Sequence, residues 1–295
     1  MEMTSCTLCP RKCGADRTCR SGFCGGGTVI RIARAALHHW EEPCISGWAG
    51  SGTVFFSGCP LRCCFCQNYQ ISAENFGKEI SIDRLTEIFL ELQSKGAHNI
   101  NLVNPTHYVP WIIKALDQAK PQLNIPIVYN SGGYESLETL CLLEGIVDIY
   151  LPDLKYASRE RAKRYSGAPD YFEVASGAIL EMYRQTGKAV LDESGIMQKG
   201  LMIRHLVLPK GREDSKAVLE WIAHNLPLSE VLVSLMSQYT PFYRSAEFPE
   251  INRRVSTFEY HDVLTRAQEL GIQGFMQEKS AAKEEYTPAF DLFGV

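Results

Sequence analysis

An α/β fold is predicted, a partial TIM-type (β/α)6 barrel with a small cysteine-rich module at its N-terminus, and three observations predict it. Beyond Cys66, short apolar and β-branched runs alternate with amphipathic stretches at βαβ spacing, an order that demands parallel strands and right-handed crossovers. Six strands can be placed in that order, enough for an incomplete barrel whose chemistry collects in the loops after the C-terminal strand ends. Before Thr28 the chain is rich in Cys, Gly and Arg but has no periodicity able to build a core, so this piece needs a metal staple. A doubly wound open sheet uses the same alternation and is the competing architecture.

Taken in order, residues 1–28 form the cysteine-rich metal-binding module and residues 29–52 a β-hairpin and connecting loop. Val29–Ile32 and Thr53–Phe56 read as strands, joined by a loop containing HHWEEPCISG. Residues 53–278 are expected to form the barrel and 279–295 a C-terminal tail. The six barrel strands are Thr53–Phe56, Ile100–Val103, Ile127–Tyr129, Asp148–Leu151, Met202–Leu208 and Val231–Leu235. The first barrel helix carries Ile82, Leu85, Ile88, Phe89 and Leu92 at helical spacing, opened by Ser81 and closed by Gly96. Pro110 falls in the first turn of the second helix, Ser215 starts the fifth, and Ser256 with Glu259 makes a capping box for the last. The stretch Lys188–Gly200 reads as a hairpin inserted before the fifth strand.

Composition narrows the function classes. With 45% hydrophobic and 22% charged residues the chain reads as soluble and globular, and no apolar run approaches the roughly 18 residues of a membrane span. MEMTSCTLCPRKCG lacks the apolar centre of a secretion signal, so a cytoplasmic location is expected. A formal net charge of -4 offers no basic footprint for nucleic acid. Eleven cysteines, ten of them crowded into the first 66 residues, are the anomaly. In a reducing cytosol such crowding points to metal ligation, and an odd total cannot be fully paired in disulfides.

The segment GTVFFSGCPLRCCFCQNYQIS sets Cys59, Cys63 and Cys66 in a C-x3-C-x2-C spacing directly after a strand. Three thiolates so placed can hold three irons of a 4Fe-4S cubane and leave the fourth open to a ligand. A structural zinc site instead wants four ligands, usually in two separated pairs. With Phe65 just before the last cysteine, the triplet resembles the signature of the radical S-adenosylmethionine (SAM) superfamily. Within it the chain is similar to the group related to pyruvate formate-lyase activating enzyme, in a branch with a cysteine-rich N-terminus. The carriers are CTLCPRKCG, EEPCISGWAGSGTVFFSGCPLRCCFCQNYQIS, NINLVNPTHYVP, VYNSGG, DIYLPDLKY, IRHLVLPKG and SLMSQYTP. The resemblance implies that SAM binds the open iron and that its reductive cleavage releases a 5'-deoxyadenosyl radical, which abstracts hydrogen from a substrate. Cys64 falls outside the family spacing and reads as a spare, neutral side chain.

The loops behind the other strands supply the remaining candidates. Where the family often has Gly-Gly-Glu for the SAM ammonium group, this chain has Asn104, Pro105, Thr106 and His107; Asn104 or Thr106 oxygen can accept those protons, or the segment is a plain turn. By resemblance, Asn130 and Ser131 belong to a loop that serves the SAM carboxylate and a monovalent cation. Asp153 and Lys155 match an Asp-x-Lys motif in which the lysine meets that carboxylate. Period-two geometry puts both on one strand face, and paired charges in a barrel mouth are costly without a ligand or partner. Arg204 and His205 point to opposite sides, and the family pattern favours Arg204 as the cofactor contact. Gln238 and Tyr239 occupy roughly the place of a cofactor-contacting histidine.

Cys6, Cys9, Cys13 and Cys24 give C-x2-C-x3-C-x10-C, which suits zinc or an auxiliary iron-sulfur cluster, with Cys19 and Cys44 as further thiols. His38, His39, Glu41 and Glu42 either face the active site from the first hairpin or form a solvated polar face. Three functions follow. One is a radical enzyme acting on a protein or peptide, as in glycyl-radical enzyme activation; another is radical modification of a small molecule; the third is a non-enzymatic iron-sulfur or zinc protein. The two enzyme readings call for an electron donor such as flavodoxin or ferredoxin.

Overall fold

The computed structural model describes residues 3–276 and 288–295. Ten strands form one sheet: β1 (Ile30–His38), β2 (Ser51–Phe56), β3 (Lys78–Ile80), β4 (Ile100–Val103), β5 (Ile127–Ser131), β6 (Ile149–Pro152), β7 (Val190–Leu191), β8 (Met197–Leu206), β9 (Leu232–Met236) and β10 (Gly274–Met276). Their spatial order is β10-β9-β8-β6-β5-β4-β2-β1-β3, with β7 paired to β8. From β2 to β10 every neighbour along this path is parallel. A doubly wound sheet must reverse its strand order at a switch point. From β2 to β10 this one runs in chain order without a reversal, as a partial barrel does.

All six expected barrel strands are present, and two short ones add to them. β10 has three residues and begins on Gly274 at φ 135°, too little for a periodic signal. β1 is nine residues long where only its first part was expected, because ARAALH is composed of helix formers. Antiparallel pairing with β2 on one edge and β3 on the other overrides that preference. The helix Ile82–Ser94 buries Leu85, Ile88, Phe89 and Leu92, and Ser81 Oγ accepts from Arg84 N at 3.0 Å. Pro110 lies in the first turn of Val109–Ala119, and Ser256 and Glu259 form their reciprocal capping box. Ser215 does not open its helix. Arg212–Asn225 begins three residues earlier, with Glu213 and Asp214 at the positive end of its dipole, and Ser215 is spent on His205.

The floor of the barrel is closed by the β1–β2 connection. Cys44 and Ile45 pack with Val128, Ile149, Leu151, Met197 and Met202 in an apolar cluster separate from the main one under the helices. Asn99 Nδ2 donates to Ile45 O at 2.8 Å and Ser51 Oγ donates to Asn99 Oδ1 at 2.6 Å, which fixes the plug. The described part of the expected tail lies against β1: Leu292 N donates to Ala33 O at 3.0 Å, and Ala35 N donates to Phe293 O at 2.9 Å. Its expected boundary at residues 278 and 279 lies outside the described residues. Among the described residues no helix is long and apolar enough to cross a membrane.

Candidate active site

β2 ends at Phe56 and the chain turns at Gly58, φ 93°. A Cβ here would meet Cys24 O at 2.5 Å and His107 Nε2 at 2.9 Å, so glycine is required by both backbone and space. Arg62 adopts φ 52° between the first two cysteines and lets the loop coil back on itself. The loop aims Cys59, Cys63 and Cys66 at one region. Leu61 N donates to Cys59 Sγ at 3.3 Å, Ser166 Oγ to Cys63 Sγ at 3.0 Å and Ser72 Oγ to Cys66 Sγ at 3.2 Å. Each sulfur thus has a donor of the kind that favours thiolate. Burial, then the neighbouring Cys63, pushes the Cys59 thiol up to about 12 and Cys66 to about 11. Deprotonation would accompany any metal binding at these thiols. Cys64 is buried and ties the loop down through its backbone: its N donates to Tyr165 O at 2.8 Å, and its O accepts from Arg244 N at 2.9 Å.

Beside the thiols lies a cleft of about 220 Å³, open to solvent at its mouth. Its wall includes Cys63, Cys66, Phe65, Asn130, Asp153, Lys155, Arg204, Gln238 and Tyr239. Arg204 organises the floor. It donates to Asp153 Oδ1 at 2.9 Å, Glu41 Oε2 at 3.1 Å and Asn130 Oδ1 at 2.6 Å. Lys155 Nζ pairs with Asp153 Oδ2, the other oxygen of the same carboxylate. Burial alone would raise Asp153, but Arg204 and Lys155 outweigh it and hold the carboxyl below its ordinary range. Glu41 and Glu42 are raised, since burial exceeds the help of Arg204. Three carboxylates thus face two cations, all nearly out of water.

Comparison with known proteins decides what this arrangement belongs to. Residues 53–191 match the family model of the radical SAM superfamily. The uncharacterized protein MJ0674 of Methanocaldococcus jannaschii is 31% identical over 282 residues, covering 91% of this chain and 75% of the relative. The chain belongs to the radical SAM superfamily. Two solved structures share the fold. A radical SAM methyltransferase from Sphaerobacter thermophilus matches with a TM-score of 0.53 and 14% identity, over 77% of this chain and 66% of that one. Streptococcus suis SuiB bound to S-adenosylmethionine matches with a TM-score of 0.50 and 13% identity, over 79% of this chain and 51% of that one. The chain thus spans about half the length of SuiB.

Set in a radical SAM barrel, the remaining candidates divide. Phe65 stands edge-on to Tyr156, Tyr165 and Tyr239, and Tyr239 OH donates to Ile251 O at 2.9 Å. Gln238 Nε2 lies 3.6 Å from Met236 Sδ. Three residues lie away from the cleft wall. Thr106 Oγ1 donates to Glu135 Oε1 at 2.8 Å on the helix side of the strands, and Ser131 Oγ accepts from Gly133 N at 3.2 Å. Asn104, at φ 59°, turns its amide onto Gly58 O and so braces the cysteine loop. His205 is buried on the opposite strand face from Arg204, with Nδ1 donating to Leu154 O at 2.6 Å and Nε2 accepting from Ser215 Oγ at 2.9 Å. Glu41 was one of two open readings in the sequence. Its place beneath Arg204 resolves that choice toward the site.

The N-terminal module packs directly on the cysteine loop. Cys6, Cys9 and Cys24 are buried and Cys13 is exposed. Cys13 Sγ and Cys24 Sγ lie 3.6 and 3.5 Å from one point, where a Cβ on Gly22 would stand. Among the described residues no three His, Cys, Asp or Glu side chains are gathered as the ligands of a single ion would be.

Proposed function

We propose that the protein reductively cleaves SAM at a 4Fe-4S cluster held by Cys59, Cys63 and Cys66, and directs the resulting radical to hydrogen abstraction from a substrate that enters the cleft. The observation that carries this reading is that Cys63 and Cys66 line the cleft beside Asp153, Lys155 and Arg204, with Cys59 neighbouring both in the same loop. Cubane thiolates bind separate irons, so they are spread more widely than the ligands of one ion, whose sulfurs stand about 4 Å apart at a Zn–S length of about 2.3 Å. The donors from Leu61, Ser72 and Ser166 fit such a set. With SAM bound there, the cluster supplies the electron that breaks the sulfur–C5' bond to a 5'-deoxyadenosyl radical.

The chain's own residues then bind and orient. Lys155 offers its ammonium to the SAM carboxylate, and Asp153 keeps that ammonium charged and fixed from below. Arg204, itself held by Asn130, keeps Asp153 in place. Phe65 and Tyr239 form an apolar wall near the cysteines and limit water there. We further propose a second metal centre on Cys6, Cys9, Cys13 and Cys24, and a low-potential carrier of the ferredoxin or flavodoxin kind as reductant.

The test is anaerobic reconstitution followed by chromatography for 5'-deoxyadenosine. Cys59→Ala, Cys63→Ala and Cys66→Ala should each abolish its formation under a chemical reductant, while Cys64→Ala should preserve it. A fully active Cys63→Ala protein would overturn the ligand assignment.

A further inference from the structure

We infer that the N-terminal module is the electron-entry port of this enzyme: Cys6, Cys9, Cys13 and Cys24 hold a second iron-sulfur cluster that is reduced by an acidic protein carrier and passes its electron to Cys59. The inference deepens the proposed function and rests on its assignment of Cys59, Cys63 and Cys66.

Contact is the first observation. Cys59 N donates to Cys24 O at 3.0 Å, so a ligand of one site is joined to a ligand of the other by one hydrogen bond between their own backbones. A structural staple needs no such junction. Orientation is the second. Cys24 lies inward against the cysteine loop, whereas Cys13 is exposed, so the module has an inner and an outer end. Around the inner thiol, Gly26 N at 3.4 Å and Arg17 Nη2 at 3.6 Å point at Cys24 Sγ. Such donors favour a charged sulfur and make reduction of a cluster easier.

Charge is the third observation. Residues 1–28 carry Arg11, Lys12, Arg17 and Arg20 against two carboxylates, Glu2 and Asp16, in a chain of net charge -4; Arg11 and Arg17 are turned onto the barrel, and Lys12 and Arg20 stand outward. Lys12 and Arg20 are exposed on either side of Cys13 in sequence, and Lys12 spends itself only on a long, exposed 3.7 Å pair with Glu138. The two outward cations, Lys12 and Arg20, at the exposed Cys13 end give a small acidic partner a place to dock. One electron leaves the reduced carrier, enters at the Cys13 end, crosses from Cys24 to Cys59, and is consumed in breaking the SAM sulfur–C5' bond. The carrier is left oxidised by one electron.

The full chain, reconstituted anaerobically, should hold about eight irons, falling to about four in Cys24→Ser. Lys12→Glu/Arg20→Glu should keep the iron content and the cleavage rate with titanium(III) citrate, yet raise KM for reduced ferredoxin about tenfold at low salt. It should also weaken ferredoxin binding measured by calorimetry, an effect that disappears as salt rises. About four irons in the parent protein, all unaffected by Cys24→Ser, would overturn the second cluster. An unchanged ferredoxin KM and affinity in the double charge reversal would overturn the port. Loss of cleavage with titanium(III) citrate in the parent would instead refute the proposed function, and the iron count and calorimetry would still decide the port.

Discussion

Arg204→Met asks how much the buried charge cluster depends on one guanidinium. The substitution preserves most of the stem and removes the bonds to Asp153, Glu41 and Asn130 together. The Arg204, Glu41 and Asp153 side chains are only 15%, 10% and 16% exposed, so water cannot replace what is lost. Breaking a buried pair by removing one partner costs about 3–5 kcal/mol, a large share of the roughly 5–15 kcal/mol that holds a domain together. Adding Glu41→Gln removes one of the stranded charges, so about 1–3 kcal/mol should return in Arg204→Met/Glu41→Gln. The assay is anaerobic urea unfolding of the four proteins of the cycle, comparing midpoints at constant m. Protonation supplies a second check. Burial puts the folded pKa of Glu41 above its ordinary 4.5, so its neutral form contributes stability that is present at low pH and lost as pH rises from there. The Arg204→Met deficit should therefore be smaller at pH 5 than at pH 8. Additive costs with no recovery in the double variant would refute the reasoning.

Glu135 is buried beneath Thr106 and Tyr129, and burial lifts it from 4.5 to about 7. Its neutral form favours the fold below pH 4.5, and that contribution disappears as pH rises through about 7. Glu135→Gln should flatten a loss of order 3 kcal/mol over that window; parallel pH profiles of the urea midpoint for parent and variant would disprove it. Gly58→Ala would thrust a Cβ to 2.5 Å from Cys24 O at a positive φ. It should cost about 1–3 kcal/mol and lower iron retained after gel filtration, whereas unchanged iron content would show that the loop has room to move.

Much of this site was readable because it lies at predictable strand ends. Asp153 and Lys155 share a face for the reason that any residues two apart in extended chain do, and Arg204 and His205 separate for the same reason. Glu41 was not readable in that way. Its partner Arg204 lies 163 residues away, and nothing local distinguishes a carboxylate folded into a barrel from one on a wet hairpin loop. Thr106 shows the opposite case. A hydroxyl at the end of β4 was a natural ligand for an ammonium group, but the short turn Thr106–Tyr108 delivers it to Glu135 instead. β10 escaped detection because three residues starting on glycine have no alternation to display.

The module and the cysteine loop are one mechanical unit, and Arg11 shows why. Its guanidinium donates to Pro60 O at 2.8 Å, Gly167 O at 2.6 Å and Ser166 O at 2.9 Å. Pro60 follows the first cysteine of the triplet, and Ser166 is the residue whose hydroxyl reaches Cys63. Arg17 extends the same brace, donating to His107 O at 2.6 Å, while His107 Nε2 donates to Ser57 O at 2.7 Å. Burial holds His107 neutral, at about 3, so this bond does not titrate near neutrality. A segment with no helix or strand of its own cannot hold two guanidinium groups in such places without a staple. On the proposed reading, metal in the module would order the arginines, the arginines order the loop, and the geometry of Cys59, Cys63 and Cys66 would inherit the stability of a site in a different part of the chain.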